Sequence, residues 1–221
     1  DLLARLASPT VGVITNIGPD HLEFFGSMDK VAEAKGELLD NLKSAATAVL
    51  NADDQFLATL KQKFSGRIVT FGIKNEADVS ASNVRQERDY ADFTIIASND
   101  RADVRLHAVG MHNIYNALAA AAAAIALGVP LEEVKRGLDD FFPVAGRSEV
   151  MEIEGRTVLA DYYNANPASM DAAIGTLVSL SSGGKAIAVL GDMLELGPAG
   201  AAAHRAVGAF AARRGVALVS T

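Results

Sequence analysis

The first stretch able to do chemistry is TNIGPDHLE at 15–23, followed on a helical pattern by Lys35. Asn16 and His21 stand just beyond a β-branched run, TVGVITN at 10–16. In open α/β sheets, ligands gather at the carboxyl ends of strands. His21 could ligate a metal or contact a phosphate; an ordinary loop histidine is the alternative. Lys35 falls four residues after Val31 and three before Leu38, on an apolar stripe between the small Ala34 and Gly36. Such a lysine either snorkels to solvent or is held near other charges that change its protonation and reactivity. His112 and Asn113 open an alanine-rich stretch. Asn113 is placed to cap a helix, and could also offer its amide to a ligand there. Arg147 follows PVAG at 143–146. It is either a solvated hinge residue or a bidentate phosphate clamp. DYYNANP at 161–167 crowds Asp161, Asn164 and Asn166 into one turn, which suits ligand binding or a plain helix cap before Ser169. GDMLELG at 191–197 offers Asp192 and Glu195 to an amine or a cation, or forms a tight glycine-flanked turn.

These residues need elements to position them. Strands are expected at 10–16, 46–51 and 67–71, with an amphipathic helix at 28–42 between the first two. Val79, 93–97 and 104–108 read as shorter strands in an antiparallel patch. A helix is expected from Asn113 to Leu127, stopped by Gly128, and another beginning at Pro130. PVAG at 143–146 is the linker candidate, after which the pattern restarts. Strands at 157–162, 185–190 and 216–220 alternate with helices at 169–180 and 201–213, which predicts a parallel sheet covered by helices.

Composition narrows the classes. The chain has 221 residues, half of them hydrophobic, a net charge of −7 and no cysteine. This excludes a disulfide framework and a thiolate metal site. No basic patch suggests nucleic acid. The longest apolar stretch, 117–127, is well short of the ~20 residues that span a bilayer. Gly183-Gly184-Lys185 imitates the tail of a phosphate-binding loop, but Ala186 follows and the lysine opens a strand. The pattern G-x-x-x-x-G-K-[ST] occurs nowhere in the chain.

Taken in order, ITNIGPDHLE (14–23), FGS (25–27), AKGE (34–37), VLNADD (49–54), GMHN with Asn116-Ala117, and Gly146-Arg147 resemble the Mur ligase family. YNANP (163–167) and LGDMLELG (190–197) resemble its branch that adds D-alanyl-D-alanine to UDP-N-acetylmuramoyl-tripeptide. The resemblance implies an α/β chain. Residues 1–144 would be the later part of a central ATP-binding domain, and 145–221 the first part of a Rossmann-like C-terminal domain. It implies an ATP- and Mg²⁺-dependent amide ligase of peptidoglycan precursor synthesis, acting through an acyl phosphate in the cytoplasm, with neither nucleic acid nor membrane insertion. His21 matches the magnesium-associated histidine of the family, and Lys35 the lysine carbamylated in many members. Asn113 matches the residue near adenine. Arg147 and Asp161 match groups that reach ATP when the domains close; Asn16 lies on the same cofactor side, and Asn164 and Asn166 near the substrates. The family's phosphate-binding loop is missing. There is no starting Met, and both ends cut through apparent elements, so the chain reads as an internal piece, inactive by itself. Two alternatives stay open: another ligase of the superfamily, of folylpolyglutamate or cyanophycin synthetase type, and a non-catalytic nucleotide-binding module.

Overall fold

The structure is a computed structural model that describes residues 2–19 and 22–220. Its first unit is a six-stranded sheet in sequential order: β1 (Val11–Ile14), β2 (Thr47–Asn51), β3 (Arg67–Gly72), β4 (Val79–Gln86), β5 (Ala91–Ala97) and β6 (Asp100–Leu106). β1 to β4 run parallel, and β5 and β6 complete an antiparallel meander with β4. β2 is buried almost throughout, as expected of a strand covered on both faces.

Three helices precede the second strand. α1 (Leu2–Ala7) and α2 (Leu22–Phe25) are short, and α3 (Met28–Asp40) carries the chain from β1 towards β2. Ser27 starts α3 by accepting the Lys30 N–H at 3.3 Å. α4 (Leu57–Gln62) crosses between β2 and β3. Val31, Leu39, Leu50, Leu60 and Phe64 form the core between these helices and one sheet face. On the other face lie α5 (Met111–Ala126) and α6 (Leu131–Asp139), where Ile114 and Leu118 pack on Val49, Phe71 and Ile95. The alanines of α5 keep side chains short, which lets the helix lie close to the sheet.

The second unit begins with a hairpin, β7 (Glu149–Ile153) and β8 (Arg156–Ala160). Then come α7 (Pro167–Leu180), β9 (Ile187–Leu190), α8 (Gly200–Arg213) and β10 (Ala217–Ser220). β9 and β10 pair in parallel, as the alternation predicts, but β8 joins β7 instead of that sheet. The reason lies in Glu154-Gly155: both adopt positive φ, making a tight reversal that pairs β8 with its immediate predecessor. The core here is smaller, centred on Ile174, Ala188, Met193, Val207 and Ala211.

Several expectations need correction. α4 and β7 carry no strong pattern in the sequence and were not foreseen. α5 is capped by Gly110, not by Asn113, which lies inside the first turn and donates its side-chain amide to the Val109 carbonyl at 2.8 Å. The buried stripe of α3 runs through Val31, Ala32, Gly36 and Leu39. Lys35 flanks that stripe and is half-buried.

Candidate functional site at the junction of the two units

The loop after β1 is held from below by the end of β2. The Asn51 amide donates to the Thr15 carbonyl at 3.0 Å, and Asp54 accepts the Ile17 N–H at 2.6 Å. This holds Asn16 at the carboxyl edge of the sheet, and Lys35 Nζ reaches the Asn16 carbonyl at 3.4 Å. The lysine ammonium therefore points towards the loop that leads to His21. His21 lies outside the described residues. The small Gly36 beside Lys35 serves another purpose: a Cβ there would come within 2.7 Å of the Lys63 stem, which packs against it.

Asp53 ties this edge to α5. It accepts the N–H groups of Ile73, Lys74 and Asn75 and the Tyr115 hydroxyl, the last at 2.7 Å. Burial, the largest single influence, pushes the Asp53 carboxyl up, but these donors together outweigh it and hold it below the ordinary carboxylate range. Tyr115 moves the other way. Burial raises its phenol well above the usual range, and the hydrogen bond to Asp53 adds to that.

A second cluster forms where the units meet. Gly146 takes a φ of +74°, and its carbonyl accepts the N–H groups of Tyr162 and Tyr163 at 3.1 and 3.4 Å. A side chain at Gly146 would collide with the Tyr162 ring, 2.7 Å from the nearest ring carbon. Arg147 is exposed and lies over the Tyr163 ring, 3.7 Å from its centroid. Asp161 accepts the Ser148 N–H at 3.2 Å. Ser148 is buried and adopts a φ of +50°, a left-handed conformation costing a non-glycine residue about 1–2 kcal/mol. Its hydroxyl meets His112 Nε2 of α5 at 3.0 Å. Burial lowers the His112 pKa, and nearby Asp161 only partly offsets it.

The two turns after β8 and β9 resolve differently. Asn166 caps α7 in a reciprocal box: its side chain accepts the Ser169 N–H at 2.8 Å while Ser169 Oγ accepts the Asn166 N–H at 3.0 Å. Asn164 folds back onto the Ala165 N–H at 2.8 Å and is exposed. In the loop after β9, the Glu195 carbonyl accepts the Glu23 N–H at 3.3 Å, so this loop touches α2 across the junction. His204 steadies the loop. Its Nδ1 faces the Gly200 carbonyl at 2.8 Å and so must donate, leaving Nε2 to accept the Met193 N–H at 3.1 Å.

The structure thus brings Asn16 together with Lys35, and Arg147 with Asp161 through the Gly146–Ser148 turn. A cleft of about 710 Å³ also opens between α5 and α7, lined by Gln86, Gly110, His112, Thr176 and Arg214 among others. Asn16, Lys35, Asn113 and Arg147 do not line it. Among the described residues no cluster of three or more His, Asp and Glu could hold a metal ion, and no helix is long and apolar enough to cross a membrane. Of the supporting residues, His112 stands among the sequence candidates beside Asn113, whereas Asp53, Ser148 and His204 do not.

The Mur ligase middle domain model matches residues 1–124, and the Mur ligase glutamate ligase domain model matches residues 146–221. A UDP-N-acetylmuramoyl-tripeptide–D-alanyl-D-alanine ligase of Bacillus subtilis is 36% identical over 210 residues, covering 95% of this chain and 45% of that protein. A UDP-N-acetylmuramoyl-L-alanyl-D-glutamate–2,6-diaminopimelate ligase of Halalkalibacterium halodurans is 40% identical over a shorter 177 residues, covering 78% of this chain and 36% of that protein. The solved structure of MurF ligase from Thermotoga maritima in complex with ADP superposes with a TM-score of 0.86 at 25% identity, over 99% of this chain and 54% of that one. The chain spans less than half the length of the two curated relatives. With a family model matched over more than half its residues and a second over most of the rest, the chain belongs to the Mur ligase family.

Proposed function

We propose that this chain is part of an ATP-dependent carboxylate–amine ligase that joins D-alanyl-D-alanine to UDP-N-acetylmuramoyl-tripeptide in cytoplasmic peptidoglycan precursor synthesis. The observation that carries the reading is the likeness to a D-alanyl-D-alanine ligase across both units of the chain. Residues 1–144 would be the later part of the central domain and 145–221 the start of the C-terminal domain. In this reading the tripeptide carboxylate attacks the γ-phosphorus of ATP, forming an acyl phosphate and releasing ADP. The amine of D-alanyl-D-alanine then adds to the acyl carbon, and the tetrahedral intermediate expels phosphate. The demand on the protein is positioning and charge neutralisation.

The chain's own residues suit parts of that task. Asn113 stands in the first turn of α5, on the side assigned to adenine. Arg147, exposed on the hinge turn, could swing from Tyr163 to a phosphate, where its planar fork binds two oxygens. Asp161 orders the hinge turn beside it. Asn16 presents a carbonyl at the sheet edge, while Asn164 and Asn166 line the turn before α7, where the amine substrate would approach. An ammonium at Lys35 repels a magnesium ion, so the described residues do not fit that metal as they stand. Lys35 would ligate it only as a carbamate, together with His21, in the longer protein.

A full-length ligase carrying this segment, offered D-alanyl-D-alanine and 2,6-diaminopimelate in competition, should form the D-alanyl-D-alanine product with ATP consumption. Exclusive diaminopimelate addition would favour the second reading, which rests on the higher identity of the diaminopimelate ligase match. The 221-residue chain alone should show no ligation, since it contains no phosphate-binding loop.

A further inference from the structure

We propose that His112 is a positioning residue that latches the central unit to the hinge turn by donating from Nε2 to Ser148 Oγ, so setting where Arg147 and Asp161 stand relative to Asn113. The bearing on nucleotide rests on the function proposed above; the latch does not. Polar links cross the junction at several points among the described residues. Arg88 contacts Thr157 at 2.7 Å and pairs with Glu152, but Arg88 and Glu152 are 61% and 49% exposed, and exposed pairs hold little. The Glu23 to Glu195 link is a single backbone bond at 3.3 Å. The His112 to Ser148 link is shorter than that bond, at 3.0 Å, and Ser148 is 4% exposed. A lost partner at a buried polar group goes uncompensated by water.

The surroundings make His112 hard to replace. Its neighbour Gly110 adopts a φ of +90°, and a Cβ there would lie 2.6 Å from the imidazole Cε1 and 2.7 Å from Thr176 Oγ1 of α7. The start of α5 is therefore pressed between its own imidazole and the second unit. The Nδ1 atom of His112 is buried and has no hydrogen-bond partner among the described residues. A proton on Nδ1 would be an unsatisfied donor, so the favoured tautomer carries it on Nε2, aimed at Ser148. Ser148 in turn holds its left-handed backbone through Asp161 and lies directly after Arg147. One imidazole thus reaches both C-terminal-unit residues through a single serine.

The chain lacks cysteine, so paired spin labels can be placed cleanly at Ala120→Cys on α5 and Ala168→Cys on α7, both exposed. Electron–electron distance measurements on the 221-residue chain should give one narrow distribution. His112→Ala should raise the population at longer distances about fivefold, the ratio expected for loss of one hydrogen bond. Ser148→Ala should do the same and serves where His112→Ala does not fold. The double variant should add nothing beyond either single, and His112→Gln, whose amide nitrogen reaches a similar point, should restore the narrow distribution. Nitrogen NMR of the imidazole should show the proton on Nε2. Unchanged distances in both alanine variants, or a His112→Gln variant no better than His112→Ala, would overturn the latch. Because no nucleotide is present, failure here is distinct from failure of the proposed ligase function.

Discussion

The six-stranded sheet and the β9–β10 sheet are built to different standards. β2 and β3 are covered on both faces, and Val49, Leu50 and Phe71 are completely buried. β9 alternates instead: Ala188 is buried while Val189 is 67% exposed. The first unit therefore takes its stability from a two-sided core, and the second leans on local devices such as the α7 capping box and the His204-braced loop. The second unit therefore lies nearer the less stable end of the structure, where few buried apolar contacts oppose local opening.

The comparison predicts graded effects. Phe71→Ala should be the most damaging, costing about 3–5 kcal/mol because a large ring is lost from a packed core. Denaturant unfolding followed by probes in each unit would check it. A loss confined to the second unit's transition would break the comparison. Asp53→Ala should cost about 2 kcal/mol at neutral pH through its charged hydrogen bonds. The sign with pH follows from the lowered carboxyl. Below its ordinary value of 3.8 the unfolded chain takes up the proton first, so this stabilisation is present above that value. It is lost as the pH falls towards the folded value. The gap between Asp53→Ala and the parent should close in acid, and a pH-independent gap would refute the assignment.

Smaller effects are expected in the second unit. Asn166→Ala should cost about 1 kcal/mol, and Asn166→Asp should largely keep the cap. Amide exchange at the start of α7 would report it, with β2 unaffected. Val189→Ser should shift stability by less than about 0.5 kcal/mol, since the side chain is already in water. A larger penalty would mean that this face of β9 is covered in solution, and would sharpen the contrast into a question of what covers it.

Legibility in the sequence followed the same division. The buried strands 47–51 and 67–72 stood out as β-branched runs, and the helices of the α/β alternation as amphipathic or alanine-rich stretches. α4 escaped because its LATLKQ offers too few turns to establish a period, and β7 because EVMEI is no more strand-like than helical. Of the candidate site, the local parts were readable: the Asn166 turn, the glycine-flanked loop after β9 and the position of Asn16 past a strand end. The supporting contacts were not, because Asp53 to Tyr115 and His112 to Ser148 join residues far apart in the chain.

By itself the sequence determined the α/β alternation, the absence of a phosphate-binding loop pattern and, through ordered motifs, the Mur ligase family. These depend on local propensity, on composition and on the order of short patterns. Tertiary structure alone decided that β8 pairs with β7, that Gly110 rather than Asn113 caps α5, and that a buried histidine meets a left-handed serine beside Arg147. Such choices turn on which partners burial leaves available to each polar group, and that is settled only when distant segments pack.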